Sequence, residues 1–444
     1  MLKKLSRIFS GNTKTTQQTL HAHEHGVNHQ LVSQGAKLTI AQLKKHGYSA
    51  YLVGGGVRDL LLGSHPKDFD VATDATPNQI RKVFRNARII GKRFQIVHVR
   101  FGREIIEVTT FRASHEHGKT RDAHQSDKGV LLRDNVFGDI ESDALRRDFT
   151  VNALYYDSET QQLLDYTKGL QDLKSRTLRL IGNPQSRYKE DPVRMLRAVR
   201  FAAKLGFKLE SATEAPIRSH AHYLEEIPAA RLFEEVLKLM LSGSSLATLT
   251  MLQDYGLFGY LFPATQAALT TDTPHYDNIL QQTAINTDKR IRQQLRVTPA
   301  FFYAAFLWPA LQERITQLQK EESCSDYEAM QRAAADVINQ QLVRTSIPKR
   351  FMIPMREIWS LQDRLTRREG NRALQLIEHP RFRAAYDFVL LREQAGEDLG
   401  GLGDWWTQFQ SASEEQREIM VKALGPGKKR RRPRKRKKTS SSAE

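Results

Sequence analysis

The chain is poor in cysteine: Cys324 stands alone among 444 residues. No disulfide can form within it, and one thiol in so long a chain suits a reducing compartment, the cytoplasm. Long apolar runs are also missing. No stretch of about 18 apolar residues exists, so no helix is expected to span a membrane. The first residues pair Leu2, Leu5, Ile8 and Phe9 with Lys3, Lys4 and Arg7. They lack the apolar h-region of a secretory signal, and a frayed terminus is expected. Tryptophan occurs four times. Trp308, Trp359, Trp405 and Trp406 fall in helical patterns, where large apolar side chains pack as core anchors.

Acidic charge is short too. Asp and Glu number 50 against 68 Lys and Arg, a net charge of +18. Residues 428–438 are basic everywhere except Pro433, which leaves about +8 for the rest. A run of like charge repels itself and stays disordered, and it binds phosphates without reading sequence. Both parts being basic points to a polyanion, nucleic acid before membrane. The length admits about three domains.

One stretch organises the chain: Tyr51 to Thr73, YLVGGGVRDLLLGSHPKDFDVAT. Tyr51, Leu52 and Val53 read as a buried strand that stops at Gly54-Gly55-Gly56. Three glycines let backbone N–H groups approach a phosphate closely. Val57 to Leu62 reads as a short helix closed by Gly63. In Lys67 to Val71, strand alternation puts Asp68 and Asp70 on one face and Phe69 and Val71 in the core. Two carboxylates on one face can share divalent metal, which takes one or two carboxylates plus substrate phosphates. Asp-x-Asp alone is common in loops, so the glycine turn and the apolar partners carry the weight.

Before that stretch the chain is polar. His21, His23, His25 and His29 read as a disordered His-rich tract rather than a metal site, and helix signals begin near Ser33 and run to Gly47. After it, Thr76, Pro77 and Gln79 spell a capping box with proline at the first helical position. Residues 94–101 and 104–111 read as a hairpin around Gly102. Ile105, Glu107 and Thr109 share a face of its second strand. Glu107 is thus a candidate third carboxylate, weighed against a merely exposed strand glutamate. Residues 113–130 read as a polar loop. Arg146 and Arg147 suit triphosphate contacts, because guanidinium pairs bidentately with phosphate. Asp148 is read as a ribose acceptor, a member of the metal cluster or a structural salt bridge. Residues 165–176 read as a turn-rich link. Asp191 and Pro192 are expected as N-cap and first residue of a helix that carries Arg194, Arg197 and Arg200 as a basic stripe. Helices are expected over 228–241, 246–255, 275–295, 299–320, 326–342 and 351–368. Residues 381–392 and 404–409 are expected to end the ordered part.

LVGGGVRDLLLG with DFDVAT, IEVTTFR, RRDFTVNALYYD, DYTKGLQDLKSRTLRLIG and EDPVRMLRAVRFAAKLGF resemble the bacterial class II nucleotidyltransferases, the poly(A) polymerases and CCA-adding enzymes. The resemblance covers about residues 45–260. Within the family, Ile89 to His98, HPRFRAAYDFVLLR and the basic tail are similar to poly(A) polymerases of proteobacteria.

The resemblance implies an α+β protein with a polymerase-β-like head of mixed sheet and helices, then an all-α neck, body and leg. It implies a partly disordered tail over 1–44, a catalytic head over 45–157 and a nucleotide-recognition and RNA-binding neck over 158–262. A helical body and leg over 263–424 and a basic tail over 425–444 follow. It implies ATP as substrate, Mg²⁺ (or Mn²⁺) as cofactor and RNA 3′ ends as partner, with RNA-decay proteins as further partners. Asp68 and Asp70 match the metal pair. Asp148 matches the third acidic position of poly(A) polymerases, while Glu107 holds the strand position a superfamily comparison chooses. Gly54 and Gly55 match the phosphate-holding turn, and Asp191 and Arg194 match the base-recognising EDxxR. Arg58, Arg112 and Arg147 complete the expected nucleotide-binding set. The implied reaction is template-independent addition of AMP to RNA. Its competitors are CCA addition to tRNA and a non-catalytic RNA-binding protein, against which the intact Asp-x-Asp and GGGVRD argue.

Overall fold

The structure is a computed structural model that describes residues 17–91, 95–113, 123–125, 131–134, 137–271, 273, 275–322 and 324–425. The amphipathic start, Lys92 to Phe94, most of the polar loop and the basic tail lie outside the described residues. The chain divides into two compact units, Met1–Tyr260 and Leu261–Glu444.

The first unit is built on strands β1 (Gln18–Leu20), β2 (Ala50–Val53), β3 (Asp70–Thr73), β4 (Ala87–Ile90), β5 (Ile96–Phe101), β6 (Glu104–Thr110), β7 (Ala123–Gln125), β8 (Leu131–Asp134), β9 (Leu154–Asp157) and β10 (Gln162–Asp165). Eight of them form one mixed sheet in the order β1-β10-β9-β2-β3-β6-β5-β4, and β7 pairs with β8 separately. Pairing within the sheet is antiparallel except between β3 and β6, which run parallel. That geometry needs a crossover. The Pro77–Val83 helix, β4 and β5 supply it, and the helix starts on the expected Thr76/Gln79 capping box. β5 and β6 meet in the expected hairpin at Gly102, where φ is +60°. Val71, Val97, Val99, Ile106 and Val108 are fully buried, each contributing about 1.5–3 kcal/mol of apolar burial.

Two expected boundaries are corrected. The described part of the 1–44 tail is ordered head. β1 pairs with β10, and Ser33 caps the Gln34–Lys45 helix, whose Ala36, Ile40 and Leu43 enter the head core. The histidine tract is tied down as well. His25 is buried with Nε2 2.9 Å from the Gln161 carbonyl, and His29 lies 3.2 Å from the Tyr156 hydroxyl. At the other end, the head does not stop at 157. β9 and β10 are one hairpin in the sheet, and the expected turn-rich link contains the Gly169–Lys174 helix. The Asp165 carboxylate accepts from the Gly169 and Leu170 amides. That side chain does the work of a cap, so the helix needed no N-cap signal next to it in sequence.

The named elements of the second unit are all helices among its described residues. The expected 299–320 helix is two helices, Pro299–Phe306 and Trp308–Glu321, broken where Pro309 enters the first turn. Trp308, Trp359 and Trp406 are core anchors as expected. The indoles of Trp359 and Trp406 donate to the Ala304 and Leu365 carbonyls. Order does not end at residue 409. Glu414–Ala423 is a further helix on a Ser413/Gln416 capping box. No described helix is long and apolar enough to cross a membrane.

Candidate active site

Phe69 and Val71 point into the core, which turns Asp70 to the opposite face at the first residue of β3. Asp68 is exposed just before the strand. The parallel register sets Asp70 directly beside Glu107 of β6. Glu107 also faces His98 across β5, with Nε2 3.3 Å from Oε1. Burial, and then the Glu107 charge, push the Asp70 carboxyl up to about 6; Arg147 opposes this and Asp68 adds to it. Two further carboxylates thus bear on Asp70.

Gly54 closes the other side. Its φ is +77°, and a Cβ there would lie 3.3 Å from Asp70 Oδ2 and 3.8 Å from Arg147 Nη1. Gly54 is the N-cap of the Gly55–Leu61 helix, so Gly55 opens that helix beside the acids. The Arg147 guanidinium is aimed by Asp143 Oδ2 at 2.9 Å and by the Tyr155 hydroxyl at 2.9 Å. Tyr155 in turn donates to Asp143 at 2.6 Å. The Arg112 amide donates to the same Asp143, which places Arg112 where the chain leaves β6. Arg146 donates to the Ala113 carbonyl at 2.5 Å.

Other expected site residues are placed differently. Arg58 is 2 % exposed. Its guanidinium is held by Asp59 and by Asn152 Oδ1 at 2.7 Å. The structure therefore places it in the core, where it fastens the helix. Asp148 is not brought to the carboxylate edge. Its Oδ2 accepts from Arg197 Nε at 2.8 Å, and its Oδ1 accepts from the Phe149 amide at 2.8 Å and from Asn152 at 3.3 Å. Burial pushes this carboxyl up, but the Arg197 pair outweighs it and holds it at about 2. Of the three readings, the salt bridge is the contact the structure contains.

Asp191 is not an N-cap. It ends the Pro184–Glu190 helix, and its Oδ2 accepts from Arg231 at 2.8 Å; Pro192 precedes the Val193–Leu205 helix instead. A carboxylate turned to a guanidinium 40 residues away is not free to cap the next helix. Arg194 is brought beside the helix that Asp191 ends, where its Nη1 donates to Glu190 Oε2 at 2.7 Å and to the Arg187 carbonyl at 2.8 Å.

The sequence singled out neither Arg187, Glu190 and Arg231 nor the pairing of Arg197 with Asp148. A signal for the first two was present: Arg187, Glu190 and Arg194 stand at i, i+3 and i+7, the spacing of ion pairs along a helix. Guanidiniums outnumber carboxylates around the Val193–Leu205 helix. Arg187 Nε, Arg200 Nε and Arg231 Nη1 are buried without a hydrogen-bond partner. Burial and Arg194 bring the Arg187 guanidinium down to about 10. Such a surplus suits a bound polyphosphate.

Among the described residues, no group of three or more His, Cys, Asp or Glu side chains is placed to hold a metal ion, which leaves the pair Asp68 and Asp70. An open pair of carboxylates is the donor set of an ion that completes its shell with substrate oxygens. The residues therefore fit a divalent metal.

A model of the poly(A) polymerase head domain matches residues 50–179. Models of the probable RNA and SrmB-binding site of polymerase A and of its arginine-rich C-terminus match residues 206–269 and 322–439. Poly(A) polymerase I of Salmonella typhimurium is 47% identical over 420 residues, 92% of this chain and 90% of its own length. The chain belongs to the bacterial poly(A) polymerase family. CCA-adding enzymes are more distant: that of Lactococcus lactis (strain MG1363) is 38% identical over 229 residues, 51% of this chain and 55% of its own. The crystal structure of the Bacillus stearothermophilus CCA-adding enzyme in complex with CTP superposes with a TM-score of 0.57. It is 26% identical, covering 85% of this chain and 82% of that one. The head of a poly(A) polymerase therefore sits on a nucleotidyltransferase fold shared with CCA-adding relatives. ATP, RNA and a divalent metal are its substrates and cofactor.

Proposed function

We propose that template-independent polyadenylation takes place beside β3 and β6, with Asp68 and Asp70 holding Mg²⁺ in preference to Mn²⁺ and Glu107 as the third acid beside them. The parallel register of Asp70 with Glu107 carries this assignment. The RNA 3′-hydroxyl attacks the α-phosphate of ATP in line, and pyrophosphate leaves. When bound, the metal lowers the hydroxyl's pKa and balances the charge that develops. The chain's own groups orient the substrates. Gly54 and Gly55 leave room for phosphate beside Asp70. Arg147, aimed by Asp143 and Tyr155, supplies a fixed positive charge there. Arg194, in the first turn of the Val193–Leu205 helix, reads the adenine edge together with Asp191, in the link before that helix. Asp148 holds Arg197 and, through it, the base-reading helix. The cytoplasm is the compartment, and RNA-decay proteins are the partners the product calls for.

Incubating the protein with a generic RNA and each triphosphate separately tests this. Long homopolymeric addition from ATP is expected. Efficient CTP incorporation followed by arrest after one A would establish CCA addition instead, and no addition at all would leave an RNA-binding protein.

A further inference from the structure

We propose that Arg187 is a positioning residue that ties recognition of the base to placement of the triphosphate. The inference rests on the roles given above to Arg194 and Arg147.

The Pro184–Glu190 helix puts Arg187 and Glu190 three residues apart, on one face. Glu190 Oε2 accepts from Arg187 Nη1 at 3.0 Å and from Arg194 Nη1 at 2.7 Å. The Arg187 carbonyl is a second acceptor for Arg194 Nη1. Two groups of one helical turn thus fix the guanidinium that reads the base. On its other side, Arg187 Nη2 donates to the Arg146 carbonyl at 2.5 Å and to the Arg147 carbonyl at 2.7 Å. These belong to the last residue and the C-cap of the Ile140–Arg146 helix. Terminal carbonyls of a helix lack partners within it and attract a cation. The side chain of the same Arg147 stands beside Gly54 and faces Asp70.

One planar guanidinium therefore spans a path from Arg194 through Glu190 to the backbone of Arg147. Only a fork of donors can serve a carboxylate and two carbonyls together; an ammonium is a point charge on a flexible stem. The Arg187 side chain is 14% exposed, so water replaces little of what a substitution removes. A pure helix cap would hold the fold but would leave base choice untouched. A link alters choice and rate together, because misplacing reacting groups by about 1 Å can cost on the order of a hundredfold in rate.

The test is Arg187→Lys and Arg187→Gln in the full chain, with kcat and KM measured for ATP and for CTP on a generic RNA. Thermal unfolding and a double-mutant cycle with Arg194→Lys accompany them. For Arg187→Lys we expect kcat with ATP to fall roughly tenfold or more, and the ATP-over-CTP ratio of kcat/KM to fall roughly fivefold. Its loss of discrimination should be markedly less than additive with that of Arg194→Lys, as for members of one unit. If Arg187→Gln does not fold, the Lys variant decides alone. A wild type that prefers ATP, with Arg187→Lys keeping that preference and losing rate only in proportion to folded protein, would overturn the link and leave the function standing. A wild type with no preference for ATP would overturn the reading of Arg194, and the link with it.

Discussion

Among single residues, the carboxylates divide by what surrounds them. Asp70 and Glu107 stand side by side in a parallel register, with each other's charge as a near neighbour. Asp148 is fully engaged by Arg197 and Phe149. Asp68→Ala or Asp70→Ala should abolish nucleotide addition while leaving RNA binding and folding largely intact. More than a few per cent of addition in both would rule out the metal assignment. Glu107→Gln should lose activity that high Mg²⁺ partly restores. Asp148→Asn should instead raise KM for ATP and gain nothing from Mg²⁺. Asp148 also makes a prediction about acid. Its folded value, about 2, lies below the ordinary carboxylate value of 3.8. The unfolded chain therefore binds its proton first, and the stabilisation is present above about pH 4 and lost as pH falls toward about 2. A shift of that size corresponds to about 2 kcal/mol. Urea midpoints of wild type and Asp148→Asn should differ near neutral pH and converge in strong acid. Asp-x-Asp was legible because both acids and their apolar partners are local. The role of Asp148 was not, because Arg197 lies 49 residues away and only the packed neck brings it close.

For elements, start signals decided what was legible. The helix after Thr76 announced itself through its capping box, the one near Ser33 through its helix signals, and the β5–β6 hairpin through the two strand patterns around Gly102. β1 is three residues, Gln-Thr-Leu, with one buried side chain; no periodicity shows over so short a span. The Gly169–Lys174 helix was hidden for another reason: its cap is Asp165, four residues upstream at the end of a strand. Close packing there is testable. A Cβ at Gly169 would meet the Thr150 carbonyl oxygen at 2.2 Å, a backbone atom that cannot move alone. Gly169→Ala should destabilise the protein by about 2–4 kcal/mol, visible as a lowered unfolding midpoint. An unchanged midpoint would mean that the helix start shifts freely, contrary to the packing described.

Over the whole molecule, charge is the property that sequence reports without a fold. Deleting residues 428–444 should weaken RNA binding and flatten its dependence on salt, with KM for ATP nearly unchanged. Every phosphate that the tail no longer neutralises lowers the slope by about 0.7 on a single strand. An unaltered slope would assign the tail to a partner other than RNA. Fold class was legible at this scale as well, since strands alternate with helices only in the first part of the chain and helices fill the rest. The order in which strands pair was not, because it depends on pairing between residues 18–20 and 163–165. That order has a consequence for synthesis. β1 leaves the ribosome before any other described strand, yet its only partner in the sheet is β10. β10 needs β9, and β9 lies against β2. The segment made first is thus among the last of the sheet to find its place, and it must wait unpaired for about 140 residues of chain to emerge.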